Sequence, residues 1–399
     1  MNNGKIILRF LLIFITIFIS CFAFGCTGGV EPRNIAITNS ALYDLDGNGN
    51  YHVLLEIIDL TNSGDGRSDE QSNYKRNSII KRGDGATLAQ AITSISDQID
   101  KTLFGTHNRV RIITDRMAKN KQAMQEFVDF MIRNDEFDER PWLFIINHED
   151  IEKLFTVFVG LESLIGEYID GVVKTRKLNS GCGVFVETLK YIIDSMEIGQ
   201  DAVAGRISII QSDDEDQNGR KFEISFDGLS AFKDNKFMNY LTADDALAYN
   251  ILNNYLKRSR LNLRNSDLKA TAELTNVNTK ILVKENNGSM RIDINISGKL
   301  RIAELEIFNE TNISSKKLKV EIENTFEEMV KTMIEKTLFK ARDEINSDII
   351  GFGRRMRMLN PAVYDLLFAN TDYLSLMVFN SINIDLSIAN LGDLDISRY

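Results

Sequence analysis

The stretch Met290-Arg-Ile-Asp-Ile-Asn-Ile-Ser297 alternates apolar and polar residues without a break. Successive side chains of a strand point to opposite faces, so Met290, Ile292, Ile294 and Ile296 share one face and Arg291, Asp293, Asn295 and Ser297 the other. A strand with one apolar face must be covered. Ile382, Ile384, Leu386 and Ile388 repeat the pattern near the C-terminus. Between the two strands, Ile322, Phe326, Met329, Met333, Ala341 and Ile345 fall on one broad stripe of a long helix. An antiparallel sheet covered by that helix is the economical solution. Met329 and Met333 could line an adaptable binding surface, but core packing is the usual fate of such a stripe.

Upstream, strand and helix patterns alternate. Asn34 to Asp59 predicts two strands joined by a tight turn at Asp44-Leu-Asp-Gly-Asn-Gly-Asn50, where Asn48-Gly49 is a strong hairpin signal. Thr61 to Asn77 is polar and aperiodic, which predicts an exposed loop. Leu88, Ile92, Ile95 and Ile99 predict a helix over Thr87 to Leu103, followed by a strand at Arg109 to Thr114. Met124 to Met131 predicts a second helix and Trp142 to Ile146 a buried strand, which together indicate α/β layers. Helices over Glu162 to Lys177 and Val184 to Met196 flank Asn179-Ser-Gly-Cys-Gly183.

The acidic run Ser212 to Gly219 is of the kind found between domains and places the main boundary there. A chain of 399 residues is too long for one ordinary core. The expectation is therefore a mixed α/β, multi-domain α+β protein. Residues 26–211 form an N-terminal α/β region of two subdomains, and residues 220–399 form a C-terminal α+β domain. Only three prolines occur, so the elements should be long and uninterrupted.

The first 25 residues stand apart. Lys5 and Arg9 precede an almost unbroken apolar run from Phe10 to Phe24, the layout of an export signal. The run is about 15 residues where a membrane-spanning helix needs about 20. The small Gly25 then sits directly before Cys26, as in a bacterial lipoprotein signal cut between Gly25 and Cys26, whose thiol receives the lipid. Cys21 is the competing position. With Cys21 removed and Cys26 acylated, only Cys182 of the three cysteines remains, and no intramolecular disulfide can form. Acyl chains contribute about 0.8 kcal/mol per buried methylene, and two or more give stable anchoring. The formal charge of −10 opposes binding to nucleic acid or to anionic lipid headgroups. No nucleic-acid partner is expected.

Residues able to carry chemistry are sparse. Asp44, Asp46, Asn48 and Gly49 fit the start of a calcium loop. Its twelfth position, however, is Leu55, Glu56 misses by one, and the flanks are strands, so a hairpin turn is favoured. His52, His107 and His148 form no His-Glu-x-x-His or Cys-His set, and no metal site is expected. Asp150 is placed to cap a helix from Ile151, and His107 to hydrogen-bond locally. Cys182 precedes a helix, where the dipole could lower a thiol pKa, but no catalytic signature accompanies it and a turn with an incidental thiol is favoured. The acidic run at Asp213 reads as solvated linker. There is no Gly-Lys-Ser/Thr loop, Gly-x-Ser-x-Gly elbow or Rossmann glycine pattern. Neither an enzyme nor a cofactor is expected.

Several stretches in succession resemble the Ger(x)C family, the lipoprotein C subunits of bacterial spore germinant receptors. Cys26-Thr-Gly-Gly-Val-Glu-Pro-Arg-Asn-Ile-Ala-Ile37 is similar to the family's lipidated start and first strand. Leu103-Phe-Gly-Thr-His-Asn-Arg-Val110 is similar to its helix-to-strand turn, and Phe127 to Arg140 with Pro141 to its helix and Arg-Pro layout. Leu229-Ser-Ala-Phe-Lys-Asp-Asn-Lys-Phe237 resembles the hairpin that opens its C-terminal domain, and Asp348-Ile-Ile-Gly-Phe-Gly353 its tail after the long helix. The resemblance implies a mixed α/β ectodomain without catalytic residues. It implies lipid attachment at Cys26 and a place on the outer face of the spore inner membrane, beside integral membrane subunits A and B. A solute-binding lipoprotein of a transport system is the alternative, which would need two similar lobes about a hinged cleft. An anchored hydrolase would need His, Cys and acid side chains brought together.

Overall fold

The computed structural model describes residues 34–59, 78–134, 140–157, 164–179, 181–211, 222–266, 268–308, 315–369 and 371–390. The apolar leader, Cys26, the polar stretch after Thr61 and the acidic run at Ser212 lie outside the described residues.

β1 (Ile35–Leu45) returns as β2 (Tyr51–Ile58), paired from Leu45↔Tyr51 back to Thr38↔Ile57. The turn is made by Asp46, whose Oδ1 accepts hydrogen bonds from Asn48 N and Asn50 N at 2.8 Å, and by Gly49 at φ +84°. These bonds, that from the Asn50 backbone foremost, hold the Asp46 carboxyl down at about 2. β3 (Ser78–Gly85) adds antiparallel to β2. α1 (Leu88–Ser96), capped by Thr87, stops well short of Leu103. The rest of that apolar stretch is drawn into β4 (Thr102–Phe104), which pairs parallel with the first residues of β1.

There follow β5 (Val110–Thr114), α2 (Lys121–Arg133), β6 (Trp142–Ile146), α3 (Ile165–Asn179), β7 (Val186–Glu187), α4 (Thr188–Met196) and β8 (Val203–Arg206). The β1–β5, β5–β6 and β6–β8 pairs are parallel. Adjacent residues face opposite layers. Leu42, Ile112, Phe144 and Phe226 share one core, and Tyr43, Ile113, Phe127 and Phe232 the other. Burial on both faces explains why β6 reads as a continuous apolar run. β9 (Ser208–Gln211) and β10 (Phe222–Ser225) form a separate ribbon. β11 (Leu229–Lys233) and β12 (Lys236–Leu241) form a hairpin turned by Asp234 and Asn235, both at positive φ, and β11 pairs with β8. The first sheet therefore runs β12-β11-β8-β6-β5-β1-β2-β3 and takes two strands from beyond the acidic run.

The chain continues as α5 (Ala243–Leu252), β13 (Arg258–Arg264), β14 (Leu268–Asn286), β15 (Ser289–Ile307), α6 (Ser315–Phe339), α7 (Phe352–Leu359), α8 (Pro361–Leu367) and β16 (Met377–Asn390). A second sheet, β13-β14-β15-β16, lies against α6, the expected pairing of sheet and long helix. It is antiparallel through β15, but β16 joins β15 in parallel. The connection through α6 to α8 is long enough for the crossover that parallel pairing requires.

The buried seam of α6 is Ile322, Phe326, Val330, Ile334 and Leu338, in steps of four, with Met329 and Met333 packed at its margin. One residue from this seam, Glu323 and Glu327 accept hydrogen bonds from Ile388 N and Leu386 N at 2.7 and 2.8 Å. Four helical residues rise about 6.0 Å and two strand residues about 6.6 Å, so an i, i+4 pair of carboxylates matches alternate N–H groups of the β16 edge. The edge is thereby closed to further pairing at those residues.

Candidate functional site

The tail motif Asp348-Ile-Ile-Gly-Phe-Gly353 is where the two halves of the chain are tied. After α6 the helix widens at Lys340–Glu344, and Asn346, at φ +56°, turns the chain out of it. Ser347 Oγ donates to Phe232 O at 2.6 Å, which fixes the turn against β11. Asp348 is then 2% exposed. Its Oδ1 accepts from Gly351 N at 2.8 Å and Phe352 N at 3.0 Å. Its Oδ2 accepts from Gly353 N at 2.8 Å and the Tyr373 hydroxyl at 3.2 Å.

The glycines of the motif have physical reasons. Gly351 holds φ +77°, and a Cβ on Gly353 would stand 2.8 Å from the Tyr373 ring. Only a residue without a side chain allows the loop to close on one carboxylate.

The partner of this loop is Asp201, just ahead of β8. Its Oδ2 accepts from Asp348 N at 2.8 Å and from Lys233 Nζ at 3.3 Å, and its Oδ1 from Asp234 N at 3.1 Å. Burial pushes the Asp348 carboxyl up to about 6. The three backbone N–H groups oppose that rise and the nearby Asp201 charge adds to it. The β11–β12 turn, the approach to β8 and the α6–α7 corner are thus held by two acids. The arrangement fixes these three segments of chain against one another. Beside it, α7 and α8 expose Met358, Leu359 and Leu366 by 72%, 69% and 81%. Gly199 O accepts from Arg354 N at 2.7 Å, which seats the Glu197–Gln200 loop on the same corner.

The residues singled out by sequence are separated. Asp44 turns inward to Arg116 and Thr114. Asp46 is spent on its own turn, so the two do not form a cation loop. Glu56, 1% exposed, takes another role: it accepts from Ser40 Oγ, Ile165 N and Gly166 N at 2.9, 2.8 and 3.1 Å. A carboxylate thus sits on the first turn of α3, where the helix dipole favours negative charge. His52 contacts Asp46, Asp84 and Arg82. His148 Nδ1 pairs with Asp115 at 2.8 Å, and His107 lies by Phe104 and Thr106. Asp150 does not cap the Ile151 helix. It pairs with Lys153, and Asn147 caps the preceding turn by accepting from Glu149 N. Cys182 is half-buried and forms no disulfide among the described residues, and its backbone carbonyl accepts from Gly228 N. Among the described residues no group of three or more His, Cys, Asp and Glu side chains is arranged to hold a metal, and no helix is long and apolar enough to cross a membrane. The buried pair Asp201 and Asp348 was missed because neither has a local signal apart from the glycines after Asp348.

Residues 28–209 match the spore germination protein N-terminal domain, and residues 227–389 match the spore germination B3/GerAC-like C-terminal domain. The fold is similar to the crystal structure of the GerBC protein, with a TM-score of 0.53, 16% identity, and coverage of 87% of this chain and 96% of that one. No curated protein sequence matches the chain.

Proposed function

Because this chain belongs to the GerAC-like family of spore germination proteins, we propose that it acts in germination as the lipid-anchored, non-catalytic C subunit of a nutrient germinant receptor. The observation that carries the reading is the succession of both family domains on one chain, beginning two residues after Cys26. In this reading residues 1–25 are an export leader, the Gly25–Cys26 bond is cut, and the Cys26 sulfur carries the acyl chains. The two family domains follow as residues 26–211 and 220–399 and stand at the outer face of the spore inner membrane. Their work is to offer folded surfaces to membrane-embedded A and B subunits. Its support is chemical: an acidic body is repelled by anionic headgroups and needs a hydrophobic tether to stay at a bilayer.

The test is Cys26→Ala in the native host. The variant should leave the membrane fraction, and the spores should lose most of their response to nutrients. A variant that is retained at the membrane and germinates like the parent overturns the proposal.

A further inference from the structure

A cleft of about 250 Å³ opens where the first sheet meets α5. Three separate pieces of chain wall it: Trp142 at the start of β6, Phe185 in the approach to α4, and Tyr249 and Tyr255 at and beyond the end of α5. The volume lies below the range of pockets that hold drug-sized molecules, and the four rings give it the mostly apolar lining of a small-ligand site.

The walls are held in place before any ligand arrives. Trp142 Nε1 donates to Asp170 Oδ1 at 2.9 Å, which sets the plane of the indole. Asn250 Nδ2 donates to both Gly181 O and Gly183 O at 2.9 Å. A Cβ on Gly181 would come within 2.5 Å of Leu247 and Leu256, and one on Gly183 within 2.4 Å of Phe226 O. The backbone floor is therefore drawn in as close as glycine allows.

Charge decides the ligand. Lys177 Nζ stands 4.9 Å from the centroid of the Trp142 ring. Among the described residues it has no carboxylate partner, whereas Lys174 is committed to Asp170 and Lys190 to Asp194. Glu187 also reaches the cleft. An ammonium over an aromatic face has room for an anion on its open side. We propose that this cleft binds a small aromatic carboxylate, with the ring among the four aromatic side chains and the carboxylate on Lys177. The proposal is independent of lipid anchoring at Cys26.

Trp142 is the only tryptophan in the chain, so its emission reports on this cleft alone. The purified full chain is titrated with phenylacetate, and with 2-phenylethylamine as the cation of similar shape. Phenylacetate should change the emission saturably. The amine should not. Lys177→Gln, a change at an exposed position, should weaken phenylacetate binding roughly tenfold or more, as loss of a charge-assisted hydrogen bond does. Circular dichroism checks that the variant is folded. Absence of a saturable change, unaltered affinity in the folded Lys177→Gln variant, or preference for the amine overturns the proposal.

Discussion

Asp201 and Asp348, 147 residues apart, hold each other's backbone: Asp201 N donates to Asp348 O at 3.0 Å, and Asp348 N donates to Asp201 Oδ2 at 2.8 Å. The first residue leads into the central sheet and the second follows the long helix. Their exchange ties the first sheet to the corner that follows α6. The remaining oxygens of Asp348 are filled by three backbone N–H groups and a tyrosine hydroxyl, so the junction has one geometry.

This junction should respond to pH. Burial raises the Asp348 carboxyl to about 6, above its value in the unfolded chain, with Asp201, Lys233, Arg355 and Tyr373 as its charged and titratable surroundings. The folded state then binds the proton more tightly. Its contribution to stability is fully present below the ordinary carboxylate pKa and lost as pH rises through about 6, by roughly 2–3 kcal/mol. Asp348→Asn cannot titrate. The stability of the parent minus that of the variant, from urea unfolding, should therefore fall between about pH 4 and pH 7. A difference that stays flat across this range would refute the assignment.

The glycines of the loop are predicted to be irreplaceable by even one methyl. Gly353→Ala places a carbon 2.8 Å from the Tyr373 ring and 2.9 Å from Gly199 O, which should cost roughly 1–3 kcal/mol. Gly351→Ala, at φ +77°, should cost about 1–2 kcal/mol through backbone strain. Thermal unfolding measures both, and wild-type midpoints in either variant would contradict the close packing described.

Glu56 should behave as an internal helix cap. Glu56→Ala strands Ile165 N and Gly166 N in the core, and a loss of roughly 2–4 kcal/mol is expected. Glu56→Gln keeps one acceptor and should fall in between. Hydrogen exchange at the first turn of α3 should accelerate in the alanine variant well before global unfolding; unchanged protection there would show that the carboxylate is not the cap.

The β16 edge offers a test of self-association. Replacing Glu323 and Glu327 by alanine frees the N–H groups of Ile388 and Leu386 for pairing with another copy. Sedimentation velocity should show concentration-dependent association of the double variant beyond that of the parent. Identical profiles would mean that the carboxylates do not guard the edge.

How much could be read beforehand follows from the range of each force. The β1–β2 hairpin, the β6 strand, the alternating faces of β15 and β16 and the long helix are written in short-range patterns, because burial imposes periods of two and 3.6 on nearby residues. The end of α1 was not legible, since Leu103 satisfies a helical spacing and was claimed by a strand edge far away in sequence. The parallel joining of β16 and the shift of the α6 seam by one residue, to Val330 and Ile334, were chosen by the neighbours each element met. Glu56 could be seen only as a near-miss for a cation loop until α3 folded over it. By itself, then, the order of residues determined which segments have a face to bury. Tertiary structure alone decided what covers each face, and how the buried acids Glu56 and Asp201 find hydrogen-bond donors from chain more than a hundred residues away.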